Sequence, residues 1–180
     1  MTTRTRSLFS DSSLNYGDDF YNAQIEGSYK SAQRYGERLA SVYRPRSVVD
    51  AGCGRGAWLK AFKDGGAEKV VGLDGPWNSA GNMVDPSIEF RPVELNQPIA
   101  VEGGERFDLA MSVEVAEHLQ EASARGFVAS LTRLSDVVLF GYAFSCQGGT
   151  NHLNEQPHTY WAKLFEAHDY APYDFFRPAF

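Results

Sequence analysis

Asp50, Gly52, Gly54 and Gly56 fall within one short run, Ser47-Val48-Val49-Asp50-Ala51-Gly52-Cys53-Gly54-Arg55-Gly56-Ala57-Trp58-Leu59. The glycines lack Cβ atoms, so the backbone there can bend tightly, take positive φ and come close to a ligand. The apolar residues before them read as a buried strand and those after them as the first turn of a helix. The unpaired N–H groups of such a helix start suit an anionic or hydroxyl-rich ligand. The run therefore reads as a site for the polar part of a nucleotide-like cofactor. Asp50, two residues ahead of the first glycine, is awkward beside a pyrophosphate and well suited to an ammonium group. More candidate chemistry follows in Asp74-Gly75-Pro76-Trp77, in Glu94-Leu95 and in Ser112-Val113-Glu114-Val115-Ala116-Glu117-His118.

These groups matter only if the fold brings them together. Apolar runs predict strands at 47–51, 69–73, 88–95, 107–113 and 136–140, with Pro92 placing the third at a sheet edge. Helical spacing predicts helices over 28–43, where Ala32, Tyr35, Leu39 and Val42 recur before Pro45, and over 57–63, ended by Gly65-Gly66. Further helices are predicted at 122–134 and after Pro157, the latter with Trp161, Leu164, Phe165 and His168 on one face. Strands alternating with helices define an α/β domain, Rossmann-like, with a largely parallel sheet and helices on both faces. Ligands on such sheets bind outside the carboxyl ends of the strands. Asp50, Asp74, Glu94 and Ser112 to Glu117 all fall at those ends.

The 180 residues suit one domain, with 1–15 polar and expected to be flexible and 16–180 forming the body. Tyr16, Phe20, Tyr21 and Ile25 are too apolar to be left in water, and either cover that body or form a lid. Seventeen Lys and Arg stand against 23 Asp and Glu, a net charge of -6 without a basic run, which argues against a nucleic-acid partner. Only Cys53 and Cys146 are present, too few for a disulfide framework, so a reducing, cytoplasmic setting is expected. No apolar run approaches the roughly 20 residues of a membrane span, and no secretory signal follows Arg4 and Arg6.

Gly52-x-Gly54-x-x-Ala57 also satisfies the relaxed dinucleotide fingerprint, with Asp74 about 20 residues beyond it. Asp50, the acidic end of the fourth strand and the lack of room for a second catalytic domain point away from a dehydrogenase. Taken together, Val48 to Gly56, Val71-Gly72-Leu73-Asp74 and Phe107 to Leu119 resemble the motifs of the class I S-adenosylmethionine-dependent methyltransferases, particularly the small-molecule group called type 11 or type 23. The resemblance runs from about residue 28 to 170.

The resemblance implies that Gly52, Cys53 and Gly54 line the amino-acid end of S-adenosylmethionine, with Asp50 orienting the loop. Asp74 would hold the ribose hydroxyls, with Gly75 beside it. Pro76 or Trp77 would flank the adenine, although Trp77 is equally readable as packing, and Asp74 as a turn residue. Glu94-Leu95 would meet the adenine amino group, and Ser112 and Val113 would lie beside the cofactor at the end of the fourth strand. His118 is the candidate general base if the acceptor is a hydroxyl, and Glu117 a second catalytic candidate. The other reading has His118 packing beside the cofactor, and Glu114 and Glu117 charging a helix start.

His152, Glu155 and His158 have a spacing that invites a metal, but Asn154 and Pro157 put them in a loop. No metal site is expected, and 151–158 is read as a substrate-facing loop. The resemblance implies seven strands, of which five are accounted for and 173–177 is part of a sixth, so the C-terminal strand hairpin looks incomplete. The fifth strand would then show an open edge. Either a partner chain, such as a second copy, covers it or 170–180 folds over it. The function expected is methyl transfer to a small-molecule acceptor such as a sugar, lipid precursor or secondary metabolite, with S-adenosylhomocysteine as product. A non-catalytic cofactor- or partner-binding module is the alternative, and a nicotinamide enzyme a weaker third.

Overall fold

The computed structural model describes residues 18–100 and 102–179. The expectations for residues 1–15, and for the side chains of Tyr16, Phe20 and Tyr21, lie outside the described residues. Nine main elements follow in chain order: α1 (Asp18–Ala40), β1 (Ser47–Ala51), α2 (Ala57–Asp64), β2 (Lys69–Asp74), β3 (Glu89–Pro92), β4 (Leu109–Val113), α3 (Ala124–Leu134), β5 (Val138–Gly141) and α4 (His158–Glu166). All four strand pairings are parallel, in the order β3-β2-β1-β4-β5. Pro92 ends an edge strand, where its missing N–H costs no ladder bond.

Successive side chains of a strand point to opposite faces, and here each face has its own core. Val49, Ala51, Val71, Leu73 and Ala110 pack with Phe127, Leu131, Trp161 and Phe165, so α3 and α4 cover one face. Val48, Val70, Leu109 and Met111 pack with Leu59, Phe62, Tyr35 and Leu39, so α1 and α2 cover the other. Burial on both faces is why these strands are continuous apolar runs rather than alternating ones. At the amino end of the sheet, Asp108 Oδ2 accepts the N–H groups of Arg46 and Ser47 at 2.8 and 2.9 Å, locking β1 beside β4.

Several element bounds differ from the sequence reading. The first helix begins at Asp18, ten residues ahead of the predicted residue 28, and runs through Gly27; a single glycine costs a helix only about 1 kcal/mol. It ends at Ala40, so Val42 is exposed instead of on the buried face. α4 stops at Glu166, which leaves His168 exposed rather than on the face of Trp161 and Phe165. β3 is half the predicted length, β4 begins two residues later because Asp108 serves as the β1 tie, and α3 starts after a short turn at Glu121–Ser123.

No sixth strand forms at 173–177. The Tyr170 hydroxyl instead donates to the carbonyls of Thr132, at 3.0 Å, and Ser135. Farther on, Phe176 stacks on Tyr35 at 4.6 Å and the Arg38 guanidinium lies 4.4 Å over Phe175. The C-terminal segment thus ties the α3 side of the sheet to α1. Among the described residues no strand pairs with the outer edge of β5.

Candidate active site

The carboxyl ends of β1, β2 and β4 meet in one place, and the residues after them interlock. Gly52 and Cys53 donate their N–H groups to Leu73 O at 2.7 and 3.2 Å, folding the loop after β1 against the end of β2. Asp74 then takes one backbone N–H on each carboxylate oxygen, Gly54 on Oδ2 and Gly75 on Oδ1, both at 2.7 Å. Each oxygen has two lone pairs, so each keeps one for a diol. Asp74 is 8% exposed, which makes it a poor surface turn residue and a good buried acceptor.

The glycines are required by geometry. Gly52 has φ 92, and a Cβ there would come 2.3 Å from Val115 Cγ2. Val115, immediately after the β4 end, therefore sits directly on the loop after β1. Gly54, at φ 52, has nothing within 4 Å of the place of a Cβ, so the loop is open on the side a ligand would approach. Gly56 caps α2 at φ 80, and no side chain caps that helix start. Cys53, by contrast, is packed on Gly72, and burial pushes its thiol upward, which makes it an inert wall.

Asp50 is buried beneath this loop. Burial, and after it the charge of Asp74, pushes its carboxyl up to about 7. A cation over the loop would favour its ionised form. Trp77 is 73% exposed with its ring lying over Gly75, whose Cβ would come 1.9 Å from it. The ring is thus placed at the site and left outside the core. Glu94 is exposed just after β3, its Oε1 accepting from Asn96 N at 3.2 Å, and Leu95 is buried behind it.

The sequence reading passed over Asn78 to Val84, between β2 and β3, which walls the glycine loop. Asn78 Nδ2 donates to Gly54 O at 2.5 Å, Arg55 Nε donates to Asn82 O, and Val84 N donates to Arg55 O. The asparagines after Asp74-Gly75-Pro76 were the available signal, since such residues hold turns by side-chain bonds to the backbone.

Beyond β4 the chain turns sharply, with Glu114 in the left-handed region at φ 57. Desolvation and the Glu117 charge hold the Glu114 carboxyl above its ordinary range. Ser112 is fully buried, with a hydroxyl that has no partner, and Val113 is half-buried. Glu117 is 0% exposed and neither carboxylate oxygen has a hydrogen-bond partner, so it does not merely charge a helix start in water. Its carbonyl accepts Leu153 N at 2.7 Å and Asn154 N at 3.0 Å, clamping the 151–154 loop over the turn. His118 is exposed, with Nδ1 3.3 Å from Asn151 O and its ring 5.0 Å from that of His152.

The set His152, Glu155 and His158 does not converge as its spacing suggested. His152 Nδ1 pairs with Glu155 Oε1 at 2.8 Å, whereas His158 turns to the Tyr142 hydroxyl and to Arg177. The helix begins at His158, which carries that ring to the far side of Pro157. Among the described residues no helix is long and apolar enough to cross a membrane.

A search of curated proteins found no match. Among solved structures, an O-methyltransferase family protein from Burkholderia thailandensis aligns with a TM-score of 0.63 at 15% identity, over 87% of this chain and 56% of its own. Human N-acetylserotonin methyltransferase, solved with S-adenosylmethionine, gives 0.57 at 12% over 86% and 51%. Magnesium protoporphyrin IX methyltransferase from Synechocystis, solved with S-adenosylhomocysteine, gives 0.65 at 16% over 91% and 81%. The chain thus spans little more than half the length of the first two. At these identities the likeness concerns the fold. A family model described as a methyltransferase domain matches residues 21–140, well over half of the chain and all of the elements that build the glycine loop, Asp74 and the β4 turn. The chain belongs to this methyltransferase domain family, whose class I S-adenosylmethionine-dependent members its motifs resemble.

Proposed function

We propose that the chain is an enzyme that transfers the methyl group of S-adenosylmethionine to a small-molecule acceptor. The observation that carries this reading is the interlock of the Gly54 N–H with Asp74 beside the contact of Val115 on Gly52. The donor loop is thereby tied to the end of β2 by a hydrogen bond to a carboxylate and packed on the turn after β4 by a side-chain contact. In the transfer a bond forms from the acceptor atom to the methyl carbon as the carbon–sulfur bond breaks, its electron pair staying on sulfur. The protein's part is to hold the groups in line and exclude water.

In this reading Asp74 accepts the ribose diol and ionised Asp50 faces the ammonium end through Gly52, Cys53 and Gly54. Gly75 leaves room for Trp77 against the adenine, and Glu94-Leu95 marks its amino edge. Ser112 and Val113 floor the pocket at the methyl end. His118 is the proton acceptor for a hydroxyl acceptor, with its Nδ1 held by Asn151 O and the opposite nitrogen directed at substrate, and Glu117 supports it. A small-molecule acceptor agrees with the net charge of -6, and with the acceptors for which the human and Synechocystis enzymes are named.

Calorimetry tests the donor: S-adenosylhomocysteine is expected to bind and NAD not to. Turnover on a panel of hydroxyl, amine and carboxylate acceptors tests the transfer. Binding with no turnover on any of them would leave a cofactor-binding module.

A further inference from the structure

We propose that Glu117, His118 and His152 form a binding site for one divalent transition-metal cation, zinc by donor type, beside the proposed methyl-transfer site. One ligand atom from each of the three lies within 4.8 Å of the others. Two donors about 2.1 Å from a tetrahedral ion are ~3.4 Å apart, so closure requires side-chain shifts of about 1 Å.

Two further observations point to a ligand. Glu117 is wholly buried and both its carboxylate oxygens are unpartnered, a costly arrangement for a group aimed at two imidazoles unless a cation is shared among them. Both histidines also have one ring nitrogen already occupied by an acceptor. His118 Nδ1 faces Asn151 O at 3.3 Å and His152 Nδ1 faces Glu155 Oε1 at 2.8 Å. With Nδ1 donating in each, both Nε2 lone pairs are free for a metal, and the carboxylate behind His152 is the outer partner that metal-bound histidines ordinarily have. Glu155 Oε2 also accepts Cys146 N at 3.0 Å, which holds the carboxylate in place behind the ring. Gly149 is part of the arrangement, because a Cβ there would meet the His152 ring at 2.2 Å.

Two imidazoles and a carboxylate suit zinc or a neighbouring transition ion better than magnesium or calcium, and leave at least one position open to water or an acceptor oxygen. Its use in transfer rests on the function proposed above: with the ion bound, an acceptor hydroxyl on its open position would release its proton to solvent water more readily and His118 would be a ligand, whereas without the ion His118 keeps the role of proton acceptor given above. The site itself does not depend on that reading.

Isothermal titration of the metal-free full chain with zinc chloride is expected to show one ion per chain. His152→Gln and His118→Gln should each weaken it about 100-fold or more, and Glu155→Gln about 10- to 100-fold at unchanged stoichiometry. Far-ultraviolet circular dichroism of the same samples checks that each variant is folded, titration with S-adenosylhomocysteine reads the proposed function separately, and the exposed His118 is the variant least able to disturb the core. Absence of stoichiometric zinc, or zinc binding unchanged in both histidine variants, overturns the site. S-adenosylhomocysteine binding without zinc binding would leave the proposed function standing and remove only the metal.

Discussion

The N–H of Gly54 and Oδ2 of Asp74, 2.7 Å apart, make the glycine loop and the acid that ends β2 a single unit. Asp74→Asn keeps the shape but puts a donor or a weaker acceptor opposite that N–H and the diol. Hydrogen bonds to a charged group contribute about 1.5–3 kcal/mol. S-adenosylhomocysteine affinity is therefore expected to fall about 10- to 100-fold by calorimetry, with a lower denaturation midpoint.

Gly52 and Gly54 are both left-handed but differ in what surrounds them. Gly52→Ala would drive a methyl into Val115, and is expected to destabilise the chain by roughly 2–4 kcal/mol through backbone strain and overpacking together. Gly54→Ala meets no neighbour and should lose only about 1 kcal/mol in urea unfolding, yet weaken cofactor binding by occupying the ligand's side of the loop. Equal effects of the two on stability would contradict this assignment.

Asp50 predicts a pH dependence with a definite sign. An unfolded aspartate has released its proton by about pH 4–5, whereas the folded carboxyl keeps it to about 7. Across that window the native state binds more protons, so this group's contribution to stability is full below pH 4 and is lost as pH rises to about 7, by at most about 4 kcal/mol. Asp50→Asn should flatten that slope in denaturation curves taken from pH 4.5 to 8. Binding of a cationic ligand should also strengthen as pH rises toward 7, with proton release seen as a dependence of the calorimetric heat on buffer.

Trp77 separates binding from stability. Because its ring is largely in solvent, Trp77→Ala should change unfolding free energy by no more than about 0.5 kcal/mol. A stacking loss of about 1.4 kcal/mol would weaken S-adenosylhomocysteine binding roughly tenfold. A large stability loss with unchanged binding would make it a packing residue.

His118→Gln is expected to lower turnover about 10²- to 10⁴-fold on a hydroxyl acceptor while leaving S-adenosylhomocysteine affinity within about twofold. Unchanged turnover would remove this residue from the proposed chemistry.

The chain's local chemistry was enough for the parallel sheet and for which residues stand at its carboxyl end. Val48-Val49, Val70-Val71 and Leu109 to Met111 are apolar on both faces because helices cover both. Asp50 and Asp74 are acids at the carboxyl ends of such strands with glycines close behind them, which is why they and the glycine loop could be placed at one sheet end from sequence. The start of α1 was read ten residues late, because the spacing of Ala32, Tyr35 and Leu39 marks only the part of the helix that packs on the sheet.

What lies beyond β4 was decided by tertiary structure. His152 was grouped with Glu155 and His158 by spacing. The fold instead binds Leu153 and Asn154 to the Glu117 carbonyl, which brings His152 against His118, and the start of α4 draws His158 away to Tyr142 and Arg177. The same holds for the C-terminal segment, whose aromatic residues pack on α1 instead of pairing as a strand. Periodicity and turn chemistry depend on neighbours in sequence and can be read there. Contacts between distant loops depend on which backbone groups each loop leaves unpaired once the sheet has formed, and that is set only by the folded chain.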